Sequence, residues 1–280
     1  VIPDFLANAG VAGKNGLAQF AVGQKDVGAK EGTYRDAEDG LLSGNPIAQG
    51  SVDSVIALSL PLAGMARGTA HYWLAAGESW QQVRRLDQRV RRKRPETLIE
   101  RTAEYWNLWV RKESPPLEEL PAKVTELYRR SLLILRTQID NGGAVIAAND
   151  TDIHQFNQDT YSYMWPRDGA VVVQALDRAG YGSLSQRFLD FCTNKAVSFN
   201  YSASILDETG FLMHKYNPDG SVGSSWQPWL EGEEMQFPIQ EDETALVIWA
   251  IWNHYRIHRD IEAIRPFFSP FVERAADFLV

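Results

Sequence analysis

The hydrophobic pattern of this 280-residue chain changes once, and that change limits the folds it can adopt. Residues 1–82 are rich in Gly, Ala and Ser and carry short apolar runs, such as "SVIALSLPLAG" and "HYWLAAG", between turn residues. This pattern predicts antiparallel strands broken at Gly and Pro. From residue 95 onward, the apolar residues recur at helical spacing. We therefore expect a mixed fold in which a β-domain precedes an all-α domain.

The helical part divides at prolines and at long polar loops. Helices are predicted for residues 95–113, 123–140, 169–178, 185–197 and 241–256, the last apolar almost all round and therefore buried on most sides. The intervening loops, 141–165 and 198–239, are rich in Trp, Tyr, Asn, Asp and Gly. Loops of that length in a compact domain are usually functional. We expect a helical toroid whose pocket lies where these loops converge.

Charge and hydropathy bear on the class of partner. The formal net charge of −8 argues against nucleic acid, because neutralised phosphates supply most non-specific affinity. The basic run "RRLDQRVRRKR" at 84–94 is interpreted as a solvated connector between domains rather than an anion-binding patch, since no aromatic residues alternate with its charges. No apolar run reaches the length of a membrane span. We expect neither nucleic-acid nor membrane binding.

The single cysteine bears on the cellular compartment, and the chain ends bear on whether the chain is part of a longer protein. Cys192 excludes an intrachain disulfide and lies among apolar residues, so we expect it to be buried. This usage favours the cytoplasm over secretion without deciding between them. The chain begins at Val1 rather than Met, and its helical pattern continues to the last residue without a cap. We expect a portion of a longer protein.

The segment "YSYMWPRDGA", residues 161–170, places aromatic side chains beside a cation and an anion. A sugar ring has a C–H face that stacks on aromatic planes, and hydroxyls that pair with groups such as Arg167 and Asp168. Capping of a helix start explains Asp168 alone. It does not explain the preceding tyrosines and tryptophan, so a carbohydrate pocket is favoured.

The second loop repeats this chemistry before the acidic segment "PIQEDE" at 238–243. The acids Glu241, Asp242 and Glu243 stand at a helix start, where one of them is expected to complement the helix dipole. With Gln240 they are interpreted as a site for sugar hydroxyls. A metal site is the weaker alternative, because no histidine lies close in the sequence.

Taken together, "NQDTYSYMWPRDGA" and "GFLMHKYNPDGS…SSW…PIQEDETALV" resemble the prokaryotic branch of the glucoamylase and glucodextranase family of inverting glycoside hydrolases. The segment "YRDAEDGLLSGNPIAQGSVDS" resembles the end of that branch's N-terminal β-sandwich. The resemblance implies part of a β-sandwich in residues 1–82, a helical linker in 83–120, and the first half of an incomplete (α/α)6 catalytic barrel in 121–280.

The resemblance also implies roles for individual residues. In this family the Trp-x-Arg-Asp element grips the non-reducing terminal glucose, which places Arg167 and Asp168 on hydroxyls, Trp165 in the pocket wall and Tyr161 near the developing oxocarbenium ion. No cofactor and no metal is implied. The full set of expected substrate-binding residues is Tyr161, Trp165, Arg167, Asp168, His214, Lys215, Trp226, Trp229, Gln240 and Glu241.

One departure from the family concerns catalysis. The family's general acid lies in an Asp-x-Trp-Glu element, one barrel helix further on, and its general base lies later still; residues 1–280 contain no such element. Inverting hydrolysis needs both groups, with room for a water between them. We expect both catalytic carboxylates beyond Val280. Residues 1–280 alone are therefore expected to lack hydrolytic activity and to self-associate through uncovered apolar helices.

The implied function is that of an exo-acting α-glucan hydrolase, of which this chain is the N-terminal portion. It would release glucose with inversion from the non-reducing ends of starch-like oligosaccharides or other α-glucosides. A trehalose hydrolase of the same family is the nearest alternative, because its terminal-glucose subsite would look the same. A non-catalytic carbohydrate-binding or structural protein is the second alternative.

Overall fold

The computed structural model describes residues 6–12, 17–24, 32–113, 117, 119–149, 161–196, 210–223, 230–232, 234–235 and 237–280. The chain divides into two compact units, Val1–Tyr105 and Trp106–Val280. The described part of the first unit contains antiparallel strands, whereas that of the second is mostly helical. The change from strands to helices follows the change in hydrophobic pattern.

The first unit contains two antiparallel strand pairs. Strand β1 (Leu6–Ala12) pairs with β4 (His71–Gly77), and β2 (Leu17–Gln24) pairs with β3 (Val52–Leu58). A short helix, α1 (Tyr34–Ala37), lies between β2 and β3. The antiparallel pairing predicted for this region is confirmed, and its place in a partial β-sandwich stays a prediction.

The basic run belongs to helix α2 (Trp80–Lys93), which packs on β4. Its side chain Val83 is fully buried. Asp87 accepts hydrogen bonds from Trp73 Nε1 at 3.1 Å and from Arg91 Nε at 2.9 Å. The bond from Arg91 holds the pKa of Asp87 below its usual value. The run is therefore a packed helix with a charged outer face, which supports the solvated interpretation over an anion-binding patch.

The remaining described helices lie between Pro95 and Leu279. They are α3 (Pro95–Lys112), α4 (Ala122–Thr137), α5 (Pro166–Arg178), α6 (Gly182–Asp190), α7 (Glu241–His258), α8 (Ile261–Phe267) and α9 (Arg274–Leu279). Helix α6 continues as the π-helical segment Phe191–Ala196, and α8 continues as the π-helical segment Phe268–Glu273. A two-residue strand β5 (Leu230–Glu231) pairs with β6 (Glu234–Met235). None of the described helices has the length and apolar character needed to cross a membrane.

Three predictions about helices need correction. Helix α5 begins at Pro166 rather than at residue 169, because proline suits the first turn of a helix. The segment 185–197 is not one regular helix, since its backbone changes to π-helical bonding at Phe191. The prediction that α7 is buried on most sides is also wrong, because Trp252 is 54% exposed and Trp249 is 36% exposed.

Helices α5 and α7 are the central pair of the second unit, and they run parallel. Their first turns contact each other through Arg167 and Glu243, and their last turns contact each other through Asp177 and His254. About ten residues separate the two contacts on each helix, a rise of roughly 15 Å. Helix α6 packs on both, with the Phe188 ring seated over Gly169, where a Cβ atom would lie 2.2 Å from the ring. This packing places both helix starts at one end of the unit.

Candidate functional site

Short backbone bridges bring the predicted site segments together. Met164 and Tyr216 exchange two N–H···O bonds of 2.8 Å, and the N–H of His214 donates to Pro238 O at 2.8 Å. Residues 161–164 therefore lie beside 213–216, which in turn lie beside the start of α7. The predicted convergence of the two long loops is confirmed for these residues.

The Arg167 guanidinium is held between the first turns of α5 and α7. Its Nη1 donates to Asp242 Oδ2 at 2.9 Å and to Gln240 Oε1 at 3.1 Å, and it lies 3.0 Å from Glu243 Oε1. Its Nε lies 3.9 Å from Asp168 Oδ1. Burial disfavours the charged form of Arg167, but the bond to Asp242 and the surrounding carboxylates raise its pKa above the usual value. The arginine is therefore permanently charged, and its position is fixed by three groups on α7.

Glu243 is a fully buried carboxyl group beside this arginine. Its Oε2 accepts the backbone N–H of Arg167 at 2.5 Å. Its Oε1 is close to Nη1 but is not aligned for a hydrogen bond. Burial raises the pKa of Glu243 to about 7, although the backbone bond and the charge of Arg167 oppose the shift.

A carboxyl group with a near-neutral pKa is what a general acid requires. Glu243, however, is enclosed, and both of its oxygens face Arg167. A general acid must come within hydrogen-bond reach of the bond that it cleaves. We therefore regard Glu243 as the support of Arg167 and not as a catalytic acid.

Aromatic side chains form one side of the site. The rings of Tyr161 and Trp165 are 5.8 Å apart and tilted by 32°, and Tyr163 meets Trp165 edge to face at 6.0 Å. Trp165 is only 4% exposed. Tyr161 is 60% exposed, so it is the aromatic face here that a ligand could reach directly.

His214 and Lys215 are part of the wall beneath these rings. Lys215 is fully buried, with its ammonium group 4.3 Å from the centre of the Tyr163 ring and 5.6 Å from that of Trp165. His214 is 5% exposed, and its Nδ1 lies 3.1 Å from Pro238 O. Both positions support the site from below, and direct contact with a substrate stays a prediction.

The other predicted residues differ in whether they contact Arg167. Asp168 lies in the first turn of α5 with its side chain 52% exposed. Gln240 directly precedes α7 and contacts Arg167. Glu241 is exposed in the first turn of α7 and is not among the described partners of Arg167. Trp226 and Trp229 lie outside the described residues.

The sequence analysis grouped Glu241, Asp242 and Glu243 with Gln240 as a site for sugar hydroxyls but named only Gln240 and Glu241 as substrate-binding residues, whereas the acids among them that contact Arg167 are Asp242 and Glu243. Glu243 lies four residues before the buried Val247 on the inner face of α7, but the neighbouring Leu246 and Ile248 are also apolar, so the sequence alone did not distinguish Glu243 from Glu241 and Asp242. Cys192 is fully buried, as expected. Burial and the nearby Glu243 carboxylate raise the pKa of its thiol well above the usual value, so it offers no thiolate nucleophile.

The arrangement suits a neutral ligand with many hydroxyl groups. A fixed guanidinium offers donors, the adjacent exposed carboxylate of Asp168 offers acceptors, and the Tyr161 ring offers an apolar face.

Known proteins are similar to this chain in sequence or in fold. A family model described as glycosyl hydrolases family 15 matches residues 122–279. An uncharacterized glycosyl hydrolase of Methanocaldococcus jannaschii is 26% identical over 157 residues, which are 56% of this chain and 21% of that protein. A bacterial glucoamylase crystallised with acarbose has a similar fold, with a TM-score of 0.60 at 18% identity over 97% of this chain and 36% of its own.

This chain therefore spans about a fifth of the length of the curated relative and about a third of the glucoamylase chain. A glycosidase structure also aligns with 55% of this chain, at 24% identity and a TM-score of 0.39. The family match covers more than half of the chain and includes Arg167, Glu243 and the segments around them. The protein belongs to glycosyl hydrolases family 15.

Proposed function

We propose that the protein is the N-terminal portion of an exo-acting, glucoamylase-like hydrolase that releases glucose with inversion from the non-reducing ends of α-glucans. Its membership of glycosyl hydrolases family 15 supports hydrolysis of a glycoside. The observation that carries the narrower proposal is the anchoring of Arg167 between α5 and α7.

That anchoring divides the donors of the guanidinium into two groups. Nη1 is occupied by Asp242 and Gln240. Among the described residues, Nη2 donates to no protein acceptor, and the side chain of Arg167 is 33% exposed. The remaining donors can therefore serve a ligand. Asp168 next to them can accept from a second hydroxyl, and this combination suits the neighbouring hydroxyls of a terminal glucose.

The remaining parts of the site complete the proposal. Tyr161 stacks on the sugar or stabilises the developing oxocarbenium ion, and Trp165 closes the wall. His214, Lys215 and Gln240 position these groups, and Trp226, Trp229 and Glu241 extend the subsite. We place the catalytic acid and base beyond Val280, so that residues 1–280 bind the terminal glucose without hydrolysing a bond. No cofactor takes part.

The test is product analysis of the full-length protein on maltose, isomaltose and trehalose. NMR spectroscopy of the anomeric proton follows the first product. We expect the non-reducing glucose of maltose to be released as the β-anomer, and longer maltooligosaccharides to be shortened by one glucose at a time. Release of the non-reducing glucose unit as the α-anomer, or internal cleavage of a longer maltooligosaccharide, would contradict the proposal.

Two other outcomes correspond to the alternatives. Cleavage of trehalose but not maltose would assign the site to a trehalose hydrolase, whose glucose subsite would have the same groups. Binding of maltooligosaccharides by the full-length protein without release of glucose would assign it to a non-catalytic carbohydrate-binding protein.

A further inference from the structure

A second polar cluster lies at the opposite end of the α5–α7 pair. It consists of Asp177, His254 and His258. Asp177 is 2% exposed and His254 is 4% exposed. Asp177 Oδ1 lies 2.9 Å from His254 Nδ1 and 3.0 Å from His258 Nε2. Asp177 follows Asp168 by nine positions on α5, which corresponds to roughly 13 Å along the helix, so the cluster is separate from the proposed glucose site.

The donor set is that of a transition-metal site. His254 and His258 are four residues apart and therefore share one face of α7. Two imidazole nitrogens and one carboxylate form a common three-ligand set for zinc, whose fourth position is taken by water. The three ligand atoms all lie within 4.8 Å of one another.

The distances also fit such an ion. Zinc bonds to nitrogen and oxygen are about 2.0–2.1 Å long, so the ligand atoms around a tetrahedral ion lie about 3.3 Å apart. The two measured separations, 2.9 Å and 3.0 Å, are smaller by only a few tenths of an ångström. Small side-chain rotations would open the cluster to that size.

Hydrogen bonding within the cluster leaves Asp177 incompletely satisfied. Both imidazoles approach Oδ1, whereas Oδ2 is buried and has no hydrogen-bond partner in the part of the chain that the structure describes. A buried carboxylate is costly unless its charge is compensated. The cluster also lies in the last turns of two parallel helices, where the partial charge is negative and a cation is favoured.

A route from solvent to the cluster exists at His258. Its side chain is 30% exposed, in contrast to the enclosed Asp177 and His254. Gly182, in the first turn of α6, leaves space for the imidazole, since a Cβ atom there would lie 2.6 Å from the ring. An ion and its water ligand could enter from this side.

We propose that Asp177, His254 and His258 bind a divalent transition-metal ion of the zinc class, which joins the last turn of α5 to that of α7. The ion would occupy a structural position, because the cluster lies at the end of the helix pair away from Arg167.

The test uses the full-length protein without a histidine tag, stripped with EDTA and titrated with Zn²⁺ in a calorimeter and with Co²⁺ in a visible spectrometer. We expect one equivalent bound with a micromolar or tighter Kd, intense Co²⁺ bands typical of four-coordinate geometry, and a higher Tm with Zn²⁺. Asp177→Asn and His258→Gln keep side-chain size and polar atoms but lose a good ligand. Each should weaken binding at least about tenfold.

His71→Gln, which removes a histidine outside the cluster, is the matched control and should bind zinc as the unmodified protein does. Absence of binding in the unmodified protein would overturn the proposal and leave the cluster as hydrogen bonds only. Binding that survives both Asp177→Asn and His258→Gln would overturn it as well. Neither result depends on which sugar the enzyme cleaves, because the titrations contain no substrate.

Discussion

Arg167 and Glu243 meet at two points: the backbone N–H of Arg167 donates to one carboxyl oxygen, and its guanidinium lies 3.0 Å from the other. One residue belongs to the first turn of α5 and the other to the first turn of α7. Their contact fixes the starts of two parallel helices, and Asp177 with His254 fixes the ends. The side chain proposed to hold glucose therefore stands on a helix pair joined at both ends, the rigid support that a precise binding site requires.

The near-neutral pKa of Glu243 predicts a specific pH dependence of stability. Its pKa is raised from an ordinary value of 4.5 to about 7 in the folded protein, so the folded state binds the proton more tightly than the unfolded state. Its contribution to the free energy of unfolding is therefore full below pH 4.5, falls as the pH rises to about 7, and stays low above that. At about 1.4 kcal/mol for each pH unit, the loss is at most about 3.5 kcal/mol.

Glu243→Gln should remove the contribution of Glu243 to the pH dependence of the free energy of unfolding, because the amide does not titrate. Urea denaturation at several pH values between 4.5 and 7.5, followed by helical circular dichroism, measures the slope for both proteins. The variant should lack the part of the decline that Glu243 causes. If the free energy of unfolding changes with pH identically in the two proteins, the pKa of Glu243 is not raised in the folded state.

The sequence predicted some of this arrangement and not the rest. The aromatic and charged residues at 161–168 pointed to a binding site because their chemistry suits a sugar, and the structure places residues 161–164 of the first long loop beside 213–216 of the second. The partners of Arg167 could not be assigned, because Glu241, Asp242 and Glu243 are all acids in one helical turn. Only the rotation of α7 about its axis determines which of them faces α5.

Other features depend on long-range packing, which the periodicity of the sequence does not predict. The start of α5 at Pro166, the π-helical turn at Phe191 and the exposure of Trp252 are of this kind. The cluster of Asp177, His254 and His258 was also missed, because Asp177 is 77 and 81 residues away from the two histidines and lies on another helix. The sequence shows two histidines at four-residue spacing, but it does not show that the Asp177 carboxylate lies beside both of them.

Arg167→Lys should reduce activity and stability together in the full-length enzyme. Lysine keeps the charge but loses the planar set of donors that spans α7 and the proposed ligand. Each lost charge-assisted bond to substrate costs about 1.5–3 kcal/mol, so kcat/KM should fall at least about tenfold. If those bonds strengthen in the transition state, kcat falls too. Steady-state kinetics and thermal unfolding measure both effects.

The matched control is Arg265→Lys, which alters an exposed ion pair with Glu262. Exposed pairs contribute little, so its Tm and kcat/KM should remain unchanged within error. An Arg167→Lys enzyme with a lowered Tm and normal kcat/KM would restrict Arg167 to an ion-pair role and would end the proposal that it binds glucose.

Tyr181→Phe should destabilise the second unit without affecting the sugar site. The Tyr181 hydroxyl donates to Trp109 O at 2.6 Å, and its ring lies 4.5 Å from that of Trp109. Burial raises the pKa of Tyr181, so the phenol keeps its proton and remains a donor. Phenylalanine preserves the ring contact but leaves the partly buried carbonyl without that donor, at a cost of about 0.5–1.5 kcal/mol.

Urea unfolding checks this prediction, with the exposed Tyr34→Phe as the control for loss of a hydroxyl alone. The control should unfold at the same urea concentration as the unmodified protein. Equal midpoints for all three proteins would show that water replaces the lost donor, and the hydrogen bond would then have no net value.

Gly210→Ala should cost more than Gly232→Ala, although both glycines have nearly the same backbone conformation. Their φ angles are +71° and +68°, and alanine in this left-handed region costs about 1–2 kcal/mol at either site. At Gly232 the added Cβ atom meets no atom of the described residues within 4 Å, whereas at Gly210 it would lie 2.2 Å from Arg274 O in α9. Relieving that clash requires α9 to move away from the segment that leads to His214, which adds about 1–3 kcal/mol.

The denaturation midpoints of the two variants check this prediction. Both variants carry the cost of the backbone conformation, so the difference between their midpoints measures the cost of the clash with α9. Equal losses of stability would mean that α9 does not pack against Gly210 in solution.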